Sequence, residues 1–174
     1  FNFGGNTSVS LTVNADGTVG VTTGMPDIGG SRASMCLMAA EELGIPYAQV
    51  SAIVGDTASI GFCDITDGSR VTFAAGMATI NAARDAVLKL CGRAAAIWGI
   101  PKDAVVWEKG HAKPAGANAG KFPPLSLKDI AAQAGSTGGP IAGHFEVNAD
   151  GAGVSFGTHI ADVEVDRETG AVRI

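Results

Sequence analysis

Two glycine-rich turns, Gly24-Met25-Pro26-Asp27-Ile28-Gly29-Gly30-Ser31 and Thr66-Asp67-Gly68-Ser69-Arg70-Val71-Thr72, carry the residues best suited to holding an anion. Each precedes a stretch that reads as a helix, and the first turn of a helix leaves backbone N–H groups without intrahelical partners, where a phosphate or carboxylate can sit. Gly29 and Gly30 permit conformations in which neighbouring N–H groups converge, and their missing side chains let a bulky ligand approach the backbone. Asp67-Gly68-Ser69 reads as a turn, Ser69 is placed to cap the next helix, and Arg70 adds a planar fork of donors suited to phosphate. An empty strand-to-helix turn and a capped helix with a solvated arginine would use the same residues. One β-α-β-sized stretch separates the two turns, so both could face a single bound molecule, and this favours the ligand. No Gly-Lys-Ser or Gly-Lys-Thr follows the glycines, which argues against a nucleotide P-loop, and the spacing of a dinucleotide fingerprint is absent.

Other chemistry-bearing residues are scattered. His111, His144 and His159 fall in different expected segments and no pair has helical ligand spacing, so they do not read as a metal triad. Asp56 and Asp64 lie in a long loop, where solvated carboxylates are commoner than cation ligands. Cys36, Cys63 and Cys91 are odd in number and lack a Cys-x-x-Cys spacing, which argues against a disulfide framework or zinc site and suits a reducing cytoplasm. Cys36 and Cys91 sit among apolar helical residues as small core side chains; Cys63, in the loop, is the one cysteine placed near a site.

The elements that must position the turns follow from periodicity. Ser8 to Val13 and Thr18 to Thr23 alternate apolar and polar about Asn14-Ala15-Asp16-Gly17, which predicts a β-hairpin. Ser31 is the expected N-cap of a helix over 32–43, with Met35, Leu37, Met38 and Leu43 toward a core and Gly44 and Pro46 as stops. Val50 to Val54 reads as a buried strand and 55–67 as a long loop of the kind that carries function. From Ser69 the apolar residues Phe73, Met77, Ile80, Ala83, Val87, Leu90 and Ala94, with Ile97 or Trp98, recur at helical spacing until Gly99, and the many alanines predict a close-packed, central helix. Trp98 and Trp107 are expected to close the core around it.

Beyond the helix, Val105 to Glu108 reads as a strand followed by a turn at Lys109-Gly110, Ala112 to Lys121 as a surface loop, Ser126 as the cap of a helix through Ala134 with Asp129 at its third position, and Gly135 to Pro140 as a linker. Ile141 to Val147, Val154 to Val165 and the stretch through Val172 alternate as antiparallel strands. The expected class is α+β, with long buried helices on mixed and antiparallel β-sheet.

With 174 residues, 46% of them hydrophobic, the chain can bury a core of its own. A net charge of −5 and only 12 basic residues, none in a run, argue against nucleic acid or an anionic membrane surface as partner. Arg84, Lys89 and Arg93 break the longest apolar stretches, so no membrane span is expected. Phe1 at the start, and Arg173-Ile174 on a strand still in progress, predict part of a longer polypeptide.

The first turn, the downstream Ala39-Ala40-Glu41-Glu42-Leu43-Gly44-Ile45-Pro46, Asp56-Thr57, Gly68-Ser69-Arg70, and the closing Thr158 to Asp166 with Glu168-Thr169-Gly170 together resemble the molybdopterin-binding large subunit of the xanthine dehydrogenase and aldehyde oxidase family. The resemblance spans nearly the whole chain. It implies a partial molybdopterin-binding domain over 1–174, with a cofactor-binding portion in 1–100 and a strand-rich portion with a short helix in 101–174. Carried over by position, it assigns cofactor contacts to Gly29, Gly30 and Ser31 in the first turn and to Gly68, Ser69, Arg70, Val71 and Thr72 in the second. Many family members have Gly-Gln-Gly where this chain has Gly29-Gly30-Ser31, so a glutamine contact is missing.

The implied cofactor is molybdopterin with molybdenum, in bacteria usually as the cytosine dinucleotide. The implied reaction is hydroxylation of an aldehyde or N-heterocycle with water-derived oxygen. The resemblance places a base glutamate beyond Ile174 and no catalytic residue within the chain. It assigns the 2Fe-2S clusters and FAD to partner modules, and it implies that this piece alone is inactive. The competing reading is a non-catalytic assembly or interaction domain that kept the fold without the cofactor, for which Gly30 in place of glutamine is the best support; a phosphate-ligand module unrelated to molybdenum is a third.

Overall fold

A computed structural model describes residues 5–151 and 156–174 of the chain. The expected hairpin is present as β1 (Asn6–Val13) and β2 (Val19–Thr23), paired antiparallel from Val9 opposite Thr23 to Val13 opposite Val19. Asp16 closes its turn by accepting the Thr18 N–H at 2.9 Å. Helix α1 (Ser31–Leu43) follows and leads back to β3 (Val50–Val54), which pairs parallel to β2. β7 (Ile141–Asn148) closes the other side antiparallel to β1, giving a four-stranded mixed sheet in the order β3-β2-β1-β7. Between β3 and β7 the chain runs through a five-residue π-helical segment, Val71–Ala75, into α2 (Gly76–Trp98). It continues through β4 (Val105–Glu108), β5 (His111–Pro114) and β6 (Leu125–Ser126), then α3 (Leu127–Ala132) and the one-turn α4 (Ala134–Thr137). β8 (Glu164–Val165) and β9 (Val172–Arg173) form a small separate ribbon.

Strand alternation places Val9, Leu11, Val13, Val19, Val21 and Ile141 on one sheet face, all buried with Ala39, Ala40 and Leu43 of α1 and Ala82, Ala83, Ala86, Leu90 and Ala94 of α2 in one core. The alanines do what their number predicts. At Gly143 of β7 a side chain would place its Cβ 2.0 Å from the Ala82 carbonyl oxygen, so helix and strand meet backbone to backbone. Trp98 and Trp107 are half-buried against this core, and the Trp107 indole donates to the Leu43 carbonyl at 2.9 Å. The architecture is the α+β arrangement expected, with helices on mixed and antiparallel sheet.

Several local expectations are corrected. Leu37 faces solvent, because the buried stripe of α1 runs through Met35, Cys36, Ala39, Ala40 and Leu43. β3 is an edge strand with Ile53 exposed rather than a fully buried strand. The stretch from Ala112 is not all loop. β5 includes it, with Ala112 fully buried opposite Trp107, and Lys113 salt-bridged to Glu108 at 2.6 Å. The Ser126–Asp129 capping box forms, with the Asp129 N–H donating to Ser126 Oγ at 3.1 Å, but α3 stops at Ala132. Part of the expected linker is helical as α4, whose end is held by the Arg93 guanidinium donating to the carbonyls of Thr137 and Gly138.

The long strand expected over 154–165 reduces to Glu164–Val165, its first two positions lying outside the described residues. Residues 156–163 have no regular structure, since alternation alone makes a strand only where another strand supplies hydrogen bonds.

Candidate functional site

The second turn is built from the inside. Arg70 is fully buried, and its guanidinium donates to the carbonyls of Ile65 at 2.7 Å, Gly5 at 2.8 Å and Asn6 at 3.3 Å, and to Thr7 Oγ1 at 2.9 Å. It therefore clamps the start of β1 and the loop over 55–67 onto the helix start. The planar fork that suits phosphate is used here on backbone carbonyls and the Thr7 hydroxyl. The loop itself runs alongside β1, with the Ser8 N–H donating to the Phe62 carbonyl at 3.1 Å and the Asp64 N–H to the Asn6 carbonyl at 2.9 Å. Gly61 approaches so closely that a Cβ there would lie 2.1 Å from Ser8 Oγ.

Above the clamp the backbone is unusual. Gly68 and Ser69 have φ of 58° and 62°, a left-handed conformation that glycine takes freely and serine rarely. Ser69 is therefore not the helix cap that its type suggested, and no side chain caps the π segment. The Asp67 carboxylate accepts the Gly68 N–H at 2.7 Å and the Asp67 carbonyl accepts the Arg70 N–H at 3.2 Å. Among the described residues the amides of Ser69, Val71 and Thr72 have no hydrogen-bond acceptor. A π-helical turn inside a longer helix is a feature frequently found at functional sites.

These amides border a cavity of about 890 Å³ lined by Thr66 to Phe73 with Ile28, Met38, Gly76, Met77 and Ile80. Phe73, Met77 and Ile80, expected in the core stripe, are half-buried at this cavity instead. The core side of the segment at that level is taken instead by Ala74, Ala75, Ala78 and Thr79, small residues that let the helix approach its neighbours closely. Sequence reasoning missed the apolar floor formed by Ile28, Met38, Met77 and Ile80; large apolar residues flanking two glycine turns were the available signal.

The first turn differs. Gly30, with φ of 90°, occupies the N-cap of α1 and Ser31 is the first helical residue, which corrects Ser31 as cap. The groups expected to be free are taken: Asp27 Oδ1 accepts the Gly29 N–H at 3.1 Å, the Ser31 N–H at 3.0 Å and the Ser31 hydroxyl at 3.1 Å. The Gly29 amide beside it, with the Ser31 hydroxyl and neighbouring amides, holds the Asp27 carboxyl below the usual carboxylate range. Asp27 also pairs with Arg32 at 3.4 Å. Gly29, Gly30 and Ser31 do not line the cavity; Ile28 is what the first turn contributes.

The remaining candidates serve local structure. Asp56 accepts from the Ser59 hydroxyl at 2.7 Å and the Ala58 N–H at 3.0 Å, which lowers its pKa, and Asp64 accepts the Ile65 N–H. His144 Nδ1 lies 3.0 Å from Ser10 Oγ and His111 Nδ1 2.8 Å from the Lys109 carbonyl. No group of three or more His, Cys, Asp or Glu is placed to hold a metal ion among the described residues. Burial pushes the thiols of Cys36 and Cys91 up, while Cys63 packs beside the small core of Met25, Met35, Val71 and Ala75 under the second turn. No helix among the described residues is long and apolar enough to cross a membrane.

An α+β domain with an amide-rimmed, apolar-floored cavity at a helix start suits a ligand with an anionic group and a flat or apolar part. The chain belongs to the molybdopterin cofactor-binding domain family, whose model matches residues 1–174. No curated protein matches it in sequence. Among solved structures, the chain is similar to the Cu,Mo-CO dehydrogenase in its carbon monoxide reduced state, at TM-score 0.75 and 23% identity, over 82% of this chain and 18% of that one. Reconstituted CO dehydrogenase from Oligotropha carboxidovorans gives 0.73 and 21% over the same shares. Quinoline 2-oxidoreductase from Pseudomonas putida 86 gives 0.60 and 20% over 97% of this chain and 22% of that one. The chain thus spans about a fifth of the length of these structures, whose likeness is one of fold.

Proposed function

We propose that this chain forms one wall of the cofactor site in the large subunit of a molybdenum hydroxylase. The single observation that carries the reading is the set of amides of Ser69, Val71 and Thr72, without an acceptor among the described residues, bordering the apolar-floored cavity in a chain of this family. These amides suit a phosphate oxygen of molybdopterin, in its cytosine dinucleotide form, while Gly68 leaves room for the ligand to approach and Arg70 fixes the turn from below. Gly29, Gly30 and Ser31 act on the ligand through the backbone path they set for Ile28.

The cofactor, when bound, supplies a two-electron acceptor for hydroxylating an aldehyde or N-heterocycle with oxygen derived from water. The base glutamate belongs to the large subunit beyond Ile174, electrons leave through 2Fe-2S and FAD modules, and the enzyme works in the bacterial cytoplasm. Residues 1–174 taken alone are inactive.

The test is metal analysis with pterin fluorescence on the full-length protein purified with its partners. Stoichiometric molybdenum and an oxidised pterin are expected, and an intact complex containing neither overturns the reading. One observation favours the alternative of an assembly domain that kept the fold without the cofactor: Asp27 already occupies the amides of the first turn. That alternative expects Gly68→Val in the second turn to leave subunit assembly and all bound small molecules unchanged, whereas the cofactor reading expects molybdenum and pterin to be lost together.

A further inference from the structure

The chain has four methionines, and all of them gather about the second turn. Met25 and Met35 lie 2% exposed in the small core beneath it, and the Met35 sulfur accepts the Thr79 hydroxyl at 3.4 Å. Met38 packs against that core from the cavity side, and Met77 lines the same cavity one helical position beyond Gly76. The Met38 sulfur is so close to Gly76 that a Cβ there would lie 2.8 Å from it. Two methionines thus line the space left for the ligand while two chemically identical ones are sealed below.

We propose that Met38 and Met77 are a modification site: while the cavity is empty, hydrogen peroxide oxidises their sulfurs, and the sulfoxides block cofactor entry. In each step the sulfur attacks one peroxide oxygen, an S–O bond forms as the O–O bond breaks, sulfur gives up two electrons, and the other oxygen leaves as water. The product places a strongly polar oxygen on an apolar floor, and at Met38 Gly76 leaves little room for it. Bound cofactor shields both sulfurs, so oxidation acts on loading rather than on the loaded protein. Reduction of the sulfoxides by a thiol-dependent sulfoxide reductase, with oxygen leaving as water and two thiols becoming a disulfide, restores entry. The blocking effect rests on the cofactor reading above; the selectivity of oxidation does not.

The experiment uses the full-length protein with its partners, made with and without molybdate, treated with hydrogen peroxide and mapped by peptide mass spectrometry. In the cofactor-free protein, Met38 and Met77 are expected to gain oxygen about tenfold faster than Met25 and Met35, and in the loaded protein that excess disappears. Oxidised cofactor-free protein should take up little cofactor, and sulfoxide reductase should restore uptake to the untreated level. The double variant M38L/M77L, whatever its own starting uptake, should lose none of it on peroxide treatment. Equal oxidation of all four methionines in a cofactor-binding protein, or undiminished uptake after oxidation of Met38 and Met77, overturns this inference alone. So does peroxide sensitivity that persists in M38L/M77L. A protein that never takes up cofactor overturns the blocking role together with the cofactor reading.

Discussion

The two glycine turns look alike in sequence and differ in what they leave open. At the first, a carboxylate two residues before Gly29 folds back and accepts the amides that the helix start would present, so the turn is closed by its own chain. At the second, Asp67 takes the Gly68 amide but those of Ser69, Val71 and Thr72 have no acceptor among the described residues, and a buried arginine holds the strained backbone from behind. An anion site therefore depends less on glycine content than on whether a side chain within reach has already satisfied the amides. Here the strained φ of Ser69 marks the open turn, where the surrounding structure enforces a conformation that serine would not choose.

The largest break in this comparison should come from Arg70. Arg70→Ala takes the guanidinium donors from the part-buried carbonyls of Gly5 and Ile65 and from Thr7 Oγ1, while the Asn6 carbonyl keeps the Asp64 N–H, and is expected to cost about 1–3 kcal/mol, as leaving acceptors unsatisfied does. Chemical denaturation should register the loss, and hydrogen exchange should rise across the loop over 55–67 and the start of β1 while the first turn stays protected. Arg70→Lys restores a charge without the fork and should recover only part of the protection. Equal loosening of both turns would mean that Arg70 supports the whole domain rather than the second turn.

Gly143→Ala tests the same asymmetry from the other side of α2. The new Cβ meets the Ala82 carbonyl oxygen at 2.0 Å and the Ala86 side chain at 3.0 Å, so the helix must move off β7. Overpacking of this kind should cost about 1–3 kcal/mol in a thermal or urea melt. Because α2 continues the π segment of the second turn, exchange at 66–76 should rise more than exchange at 26–32.

A smaller contrast pairs Ser69 with Gly30. Ser69→Val forces a β-branched residue into φ of 62° and should cost about 1–2 kcal/mol, whereas Ser69→Gly should be neutral or slightly stabilising. Gly30→Ala meets no atom of the described residues within 4 Å, so its cost of about 1 kcal/mol is that of φ at 90°. If Ser69→Gly lowered cofactor content without lowering stability, the serine hydroxyl itself would be a contact.

Much of the scaffold was legible because its determinants are local. Asn14 to Gly17 between alternating stretches specify the hairpin, Ser126 and Asp129 specify a capping box, and Gly44 and Gly99 end α1 and α2 where they stand. The family resemblance was legible from the two turns with their flanking segments. What escaped depends on partners distant in sequence. Ser69 has a capping residue's chemistry, but its φ is set by the clamp that Arg70 makes to Gly5 and Thr7, more than sixty residues away. Ala112 looks like loop composition and becomes strand because Trp107 stands opposite it. The stripe from Phe73 to Ile80 has the right period, yet the core at that level takes the neighbouring face of small residues, Ala74, Ala75, Ala78 and Thr79, and leaves the larger side chains at the cavity. Asp27 was within reach of inference, since an aspartate two and four residues before turn amides is placed to accept them.

The smallest effect, and the one that defines the first turn most directly, is the titration of Asp27. Its folded pKa is lowered, first by the Gly29 amide and then by Ser31 and Gly30, so its contribution is fully present above the ordinary carboxylate value and is lost as pH falls through the lower folded value. In Asp27→Ala the amides of Gly29 and Ser31 should exchange faster than in the parent at neutral pH, and the difference should narrow below about pH 4. Asp27→Asn keeps an acceptor oxygen but loses the charge that meets Arg32, so it should retain most of the protection and little of the pH dependence. Opening the first turn with Asp27→Ala also creates a second set of free amides beside Ile28. If phosphate then slows exchange at Gly29 and Ser31, the internal carboxylate is what separates the two turns; if phosphate has no effect there, backbone shape separates them, and the second turn owes its openness to Gly68 and Ser69.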